Sequence, residues 1–176
     1  MPGSNIQTIM SKRSANPGAR SNRLESFLVK HRKIGIDTTI FIYQLEENPK
    51  YVELTQRIFA WLESPKARGI TSTITMLELL VHPYRDGDPQ RADHFYALLS
   101  TYPHLEWLPL TLTVADRAAH LRADHNLRTP DAIQAATALI EKATGFVSND
   151  YAFRKIAQLE VLTLDELLEL DRTPTR

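Results

Sequence analysis

Ile34-Gly35-Ile36-Asp37, followed at once by Thr38-Thr39-Ile40-Phe41-Ile42-Tyr43, reads as a short buried strand that ends on an acid and turns directly into an apolar helix starting near Thr39. The rest of the chain repeats the alternation. Gly69-Ile70-Thr71-Ser72-Thr73 is a β-branched strand, and Ile74 to Val81 is a helix that Pro83 is expected to stop. Leu54 to Glu63 and Ala92 to Leu99 have helical spacing, with a turn at Arg85-Asp86-Gly87-Asp88-Pro89. A strand over Leu105 to Leu110 precedes helices over Val114 to Asp124 and Ala132 to Lys142. Strands over Gly145 to Ser148 and Val161 to Leu164 follow, then a helical turn or two with Asp165 as candidate N-cap. Strands separated by helices give an α/β fold with a parallel sheet covered on both faces. Such sheets bind ligands beyond the carboxyl ends of their strands.

The 176 residues fit one domain, and 43% hydrophobic residues can fill its core. The chain has no cysteine, which excludes disulfides and thiolate metal sites. Its six histidines show no metal-binding spacing. No apolar run approaches the roughly 20 residues needed to span a bilayer, and the N-terminus lacks the apolar stretch of a secretory signal, so a cytoplasmic protein with no membrane role is expected. Net charge is zero but unevenly spread: residues 1–33 carry +6 and the remainder −6. Residues 1–29 read as a flexible basic extension, rich in Pro, Gly, Ser and Asn over the first 22, with residues 30–170 as the folded domain. An acidic body holds nucleic acid poorly by charge alone, but a bound divalent cation would reverse that locally.

Four acids stand beside apolar sequence: Asp37, Glu78 within Met76-Leu77-Glu78-Leu79-Leu80, Asp131 after Thr129-Pro130, and Asp150 after Gly145-Phe146-Val147-Ser148-Asn149. Carboxylates are rarely buried unless paired or metal-bound. Asp37 and Asp150 fall at carboxyl ends of strands, Asp131 in the first turn of a helix, and Glu78 in a helix directly following a strand. The element order therefore brings all four to one edge of the sheet, as one pocket for a hard divalent cation would require. Taken singly, three of them have a plainer reading, and Asp37 is the hardest to dismiss. Asp131 can be a first-turn acid behind a Thr129 cap, Glu78 an exposed helix residue, and Asp150 a turn residue. Arg128, three residues before Asp131, is the best single phosphate contact. Trp61 and Trp107 read as core, and His120 with Asp124 as a surface pair.

These stretches, with Leu127-Arg128-Thr129-Pro130-Asp131-Ala132-Ile133-Gln134-Ala135-Ala136-Thr137-Ala138, resemble the PIN-domain ribonucleases, most closely the VapC-type toxins of toxin–antitoxin pairs. The resemblance covers roughly residues 33–168. It implies a three-layer α/β/α fold around a parallel sheet of four to five strands, and an Mg²⁺- or Mn²⁺-dependent endoribonuclease that cuts RNA by metal-activated water. Asp37, Glu78, Asp131 and Asp150 would be the acidic quartet, catalytic and metal-binding. Thr38 and Ser148 would supply hydroxyls that support the first carboxylate or a metal-bound water. Thr39 stands where the family often has asparagine or serine. The implied partners are RNA, a cognate antitoxin and a second copy of the chain. Two other readings use the same residues: a PIN-fold protein with an RNA-binding or scaffold role, and a metal-dependent nuclease or phosphatase acting on a substrate other than RNA.

Overall fold

A computed structural model describes residues 17–170. The strands β1 (Lys33–Ile36), β2 (Arg68–Ser72), β3 (Leu105–Leu108), β4 (Gly145–Ser148) and β5 (Glu160–Thr163) form one sheet in the order β3-β2-β1-β4-β5. Every pairing is parallel. The helices are α1 (Pro17–Lys30), α2 (Thr38–Leu45), α3 (Val52–Leu62), α4 (Thr73–Arg85), α5 (Pro89–Ser100), α6 (Leu112–His125), α7 (Thr129–Ile140) and α8 (Leu164–Leu170). A 3₁₀ turn, Tyr151–Lys155, follows β4. The expected parallel α/β sandwich is the observed one, with five strands.

Alternation along β1 explains the layers. Ile34 and Ile36 point into one core with Val147 and Leu162, shared by α1, α2, α3 and α8. The opposite face carries a second core, in which Phe146 meets Ala132, Ala135, Ala136 and Ala138 of α7 and Val114, Ala118 and Leu121 of α6. Gly35 points to that side. A Cβ there would lie 2.3 Å from the Phe146 ring and 2.7 Å from Ala138, so glycine is what lets α7 lie close on the sheet. The alanines of α7 serve the same close approach, and the helix is buried continuously from Asp131 to Ala138.

The N-terminal boundary needs correction. Residues 1–29 are expected as a flexible extension, yet Pro17–Lys30 is helix α1, and Leu24, Phe27 and Leu28 are almost wholly buried in the first core. Its polar side is held too: Arg20 pairs with Glu53 at 2.6 Å, and Arg57 reaches Ser21 and Glu25. The part of the extension before residue 17 lies outside the described residues. Pro83 does not stop α4, which continues to Arg85. Its ring removes one N–H from the helix ladder, but the helix resumes beyond it, and Asp86 N–H closes it on His82 O at 2.9 Å. Trp61 and Trp107 pack against the first core as expected. Among the described residues no helix is long and apolar enough to cross a membrane.

Candidate active site

The chain runs from β1 outward through β2 to β3, then returns to the other side of β1 for β4 and β5. The crevice at such a reversal, above the carboxyl ends of the strands, is where open α/β sheets bind ligands. Asp37 follows β1 there and Asp150 follows β4, while Asp131 opens α7 beside them.

Asp37 is 5% exposed. Its backbone N–H bonds Val147 O at 3.0 Å, which fixes it between two strand ends. Although it occupies the N-cap position of α2, its side chain caps nothing. The carboxylate instead accepts from Thr39 Oγ1 at 2.7 Å and Ser148 Oγ at 2.8 Å, both on Oδ2. Burial pushes the Asp37 carboxyl above its ordinary range, against the pull of those two hydroxyls, and the Asp131 charge adds to the rise. Ser148, fully buried, also accepts the Asp150 N–H at 3.0 Å, so one hydroxyl aligns two acids. Asp150 Oδ1 caps the 3₁₀ turn through Ala152 N–H at 2.8 Å, which leaves Oδ2 for the crevice.

Arg128 closes the group. Its Nε and Nη2 donate to the two oxygens of Asp131 at 2.7 and 3.2 Å, and Nη2 also reaches Asp150 Oδ2 at 3.4 Å. The Asp131 side chain is 10% exposed and the Arg128 side chain 75%. The expected Thr129 cap is not formed. Arg128 holds the N-cap position without a side-chain cap bond, and Thr129, Pro130 and Asp131 make the first turn.

Glu78 is joined one step away. It is half-buried on α4 and accepts from the Thr38 hydroxyl. Thr38 thus donates to Glu78 while Thr39 and Ser148 donate to Asp37, so of the two roles expected of Thr38, support of the first carboxylate or of a metal-bound water, the first passes to Thr39. Beneath Thr38 lies a buried polar network that sequence reasoning missed. Gln134 Nε2 donates to Thr38 Oγ1 at 3.1 Å and to Thr75 Oγ1, while Gln134 Oε1 accepts Ser72 N–H at 3.3 Å. Thr71 Oγ1 sits 2.8 Å from Thr75 Oγ1 and donates to Ile36 O at 3.1 Å. One glutamine therefore ties α7, α2, α4 and β2 together under the acids. The available signal was Gln134 itself, a lone amide between the alanines of α7.

Asn149, also missed, holds the loop before Asp150. Its Oδ1 accepts Asp165 N–H at 2.9 Å and its Nδ2 donates to Tyr51 Oη at 3.0 Å. It does the work at the start of α8 expected of Asp165, whose carboxylate instead receives Lys50 Nζ at 2.7 Å. His120 and Asp124 are both exposed on α6, away from these contacts.

Chemically, the arrangement is a set of carboxylate and hydroxyl oxygens around one cationic side chain. Among the described residues no three His, Cys, Asp or Glu side chains already stand as a closed set of metal ligands; the Arg128 guanidinium lies between Asp131 and Asp150. A model of the PIN domain matches residues 34–159, which is most of the chain and contains all four acids. The chain belongs to the PIN domain family. Three solved structures are similar to this chain in fold. A toxin–antitoxin complex from Klebsiella pneumoniae shares 23% identity over 75% of this chain and 97% of that one, with a TM-score of 0.55. VapBC2 from Rickettsia felis, bound to a DNA fragment from its promoter, shares 18% over 74% and 98%, with a TM-score of 0.55. DNA-bound VapBC from Salmonella typhimurium shares 19% over 75% and 98%, with a TM-score of 0.53. None of the curated proteins is similar enough in sequence to count as a relative.

Proposed function

We propose that this PIN domain is a divalent-metal-dependent endoribonuclease and the toxin of a toxin–antitoxin pair. The observation that carries the reading is one linked group beyond the carboxyl ends of β1 and β4, in which Arg128 joins Asp131 to Asp150 and Ser148 joins Asp150 to Asp37. Oxygen donors without sulfur or imidazole suit Mg²⁺ or Mn²⁺, and oxygens of Asp131 and Asp150 already accept a guanidinium cation, so the chemistry of the donor set fits. Asp37, Asp131 and Asp150 would hold the ion, with Glu78 beside them on its Thr38 anchor. When bound, the ion supplies an activated water and neutralises the phosphodiester. The protein's own part is positional. Ser148 and Thr39 orient Asp37, Ser148 aligns Asp150, and the Gln134 network keeps Thr38 pointed at Glu78. Arg128, mostly exposed, is within reach of a substrate phosphate.

The antitoxin proposal draws on the solved neighbours, which are complexes of toxin with antitoxin. A homodimer in the cytoplasm belongs to the same reading.

Cleavage of a total-RNA pool tests it, with Mn²⁺ or EDTA, for wild type and Asp37→Asn. Discrete fragments that require both the metal and Asp37 are expected. Metal-independent binding without cleavage would favour an RNA-binding or scaffold role. Hydrolysis of DNA or phosphate esters alone would move the substrate away from RNA.

A further inference from the structure

Arg128 is placed unusually for a phosphate-binding arginine. Its guanidinium takes both oxygens of Asp131 and the free oxygen of Asp150. Those are three of the oxygens that a divalent ion would need in the proposed site. Bidentate guanidinium–carboxylate pairs are among the stronger hydrogen-bonded contacts, and a buried acid such as Asp131 needs a counter-charge. Yet the arginine is not locked in: its side chain is 75% exposed, and it hangs from the residue just outside α7.

We propose that Arg128 is an internal cation that competes with the divalent ion for Asp131 and Asp150, so that metal entry and release of the guanidinium are one exchange. This rests on the metal-site reading above. While paired, Arg128 offsets the mutual repulsion of the three acids. Once displaced, it becomes a free cation at the mouth of the crevice, able to take a phosphate oxygen of the substrate. The same side chain thus lowers affinity for the metal and adds affinity for RNA only when the metal is present.

The test is Mn²⁺ binding by titration calorimetry, with melting temperature followed against Mn²⁺. It uses the full chain as wild type, Arg128→Gln, Arg128→Lys, Asp37→Asn and the charge-matched control Arg154→Gln. Arg154 pairs with Glu166 and stacks on Tyr151, and it touches none of the three acids. Arg128→Gln is expected to bind Mn²⁺ roughly three- to tenfold more tightly than wild type, the order expected for losing an exposed but bidentate competitor. Its melting temperature without Mn²⁺ should be the lower of the two, and the rise on adding Mn²⁺ the larger. Arg128→Lys should fall between them, because it keeps the charge and loses the fork. Arg154→Gln should bind like wild type. Equal or weaker Mn²⁺ binding by Arg128→Gln, with wild type binding and Asp37→Asn not binding, overturns the exchange and leaves the metal site standing. Tightening in Arg154→Gln as large as in Arg128→Gln also overturns it, since long-range charge would then suffice. No Mn²⁺ binding by any of these proteins overturns the metal-site reading, and the exchange with it.

Discussion

Asp37 places a carboxyl where its surroundings disfavour the charged form. It is buried, its carboxyl is pushed above the ordinary range by that burial, and only two hydroxyls and the backbone offset the cost. A site that needs a carboxyl there keeps it at the expense of stability. Asp37→Asn retains an oxygen to accept from Thr39 and Ser148 while removing the ionisable group that burial disfavours. Its melting temperature at neutral pH, measured without divalent ions, is therefore expected to equal or exceed that of wild type. Mn²⁺ should raise the melting temperature of wild type and not of the mutant. A mutant melting several degrees below wild type would mean that the carboxylate serves the fold. Gln134 makes the opposite case. Gln134→Ala leaves Ser72 N–H, Thr38 and Thr75 short of a buried partner, and should cost about 2–3 kcal/mol in urea unfolding with the denaturant slope unchanged. A loss below about 1 kcal/mol would mean that water replaces the amide. The two residues also differ in legibility. An aspartate between Ile36 and an apolar helix is conspicuous by itself. Gln134 owes its role to Thr38 and Thr75, 96 and 59 residues away in sequence, and no local pattern reports such partners.

At the scale of elements, most strands and helices were readable because each carries its own period: the strand ends at Ile36, Ser72 and Ser148 follow from short β-branched or apolar runs. Helix α1 was misread because composition was weighed above spacing. Pro17, Gly18, Ser21 and Asn22 look like loop, but Leu24, Phe27, Leu28 and His31 fall at i, i+3, i+4 and i+7, the stripe of a buried helix. Proline at the first position suits a helix start. Phe27 is 1% exposed and its ring lies 4.7 Å from that of His31. Phe27→Ala should therefore cost about 3–5 kcal/mol, as for any large cavity in a core. Chemical denaturation measures it directly, and a cost near zero would detach α1 from the domain.

The strand order of the whole molecule could not be read locally, since it depends on which strands pair across more than a hundred residues. That order separates the molecule's two electrostatic devices. The acids of the candidate site gather at the carboxyl ends of β1 and β4. At the opposite ends of the strands, Glu160 at the start of β5 receives Lys30 and sits 3.0 Å from His31 Nε2, with Arg23 at 3.5 Å, tying α1 to the sheet. Hydrogen bonding from Lys30, aided by His31 and opposed by burial, holds the Glu160 carboxyl below its ordinary 4.5. A carboxyl whose folded pKa is depressed leaves the unfolded chain with more protons as the solution becomes acidic. Its stabilisation is then complete above about 4.5 and disappears as pH falls toward the lowered value. Asp165, held below its ordinary 3.8 chiefly by Lys50, adds a decline of the same sign. Glu160→Gln should accordingly melt below wild type at pH 7, with the gap closing as pH is lowered from 5 to about 3. Paired measurements cancel the contribution of Asp165 and every other shared acid. A gap that stays constant over this range would show that Glu160 acts by packing and not by charge. Because the cluster lies across the sheet from the candidate site, Mn²⁺ affinity at pH 7 should be the same in both proteins. A change there would mean that the two ends of the sheet are coupled.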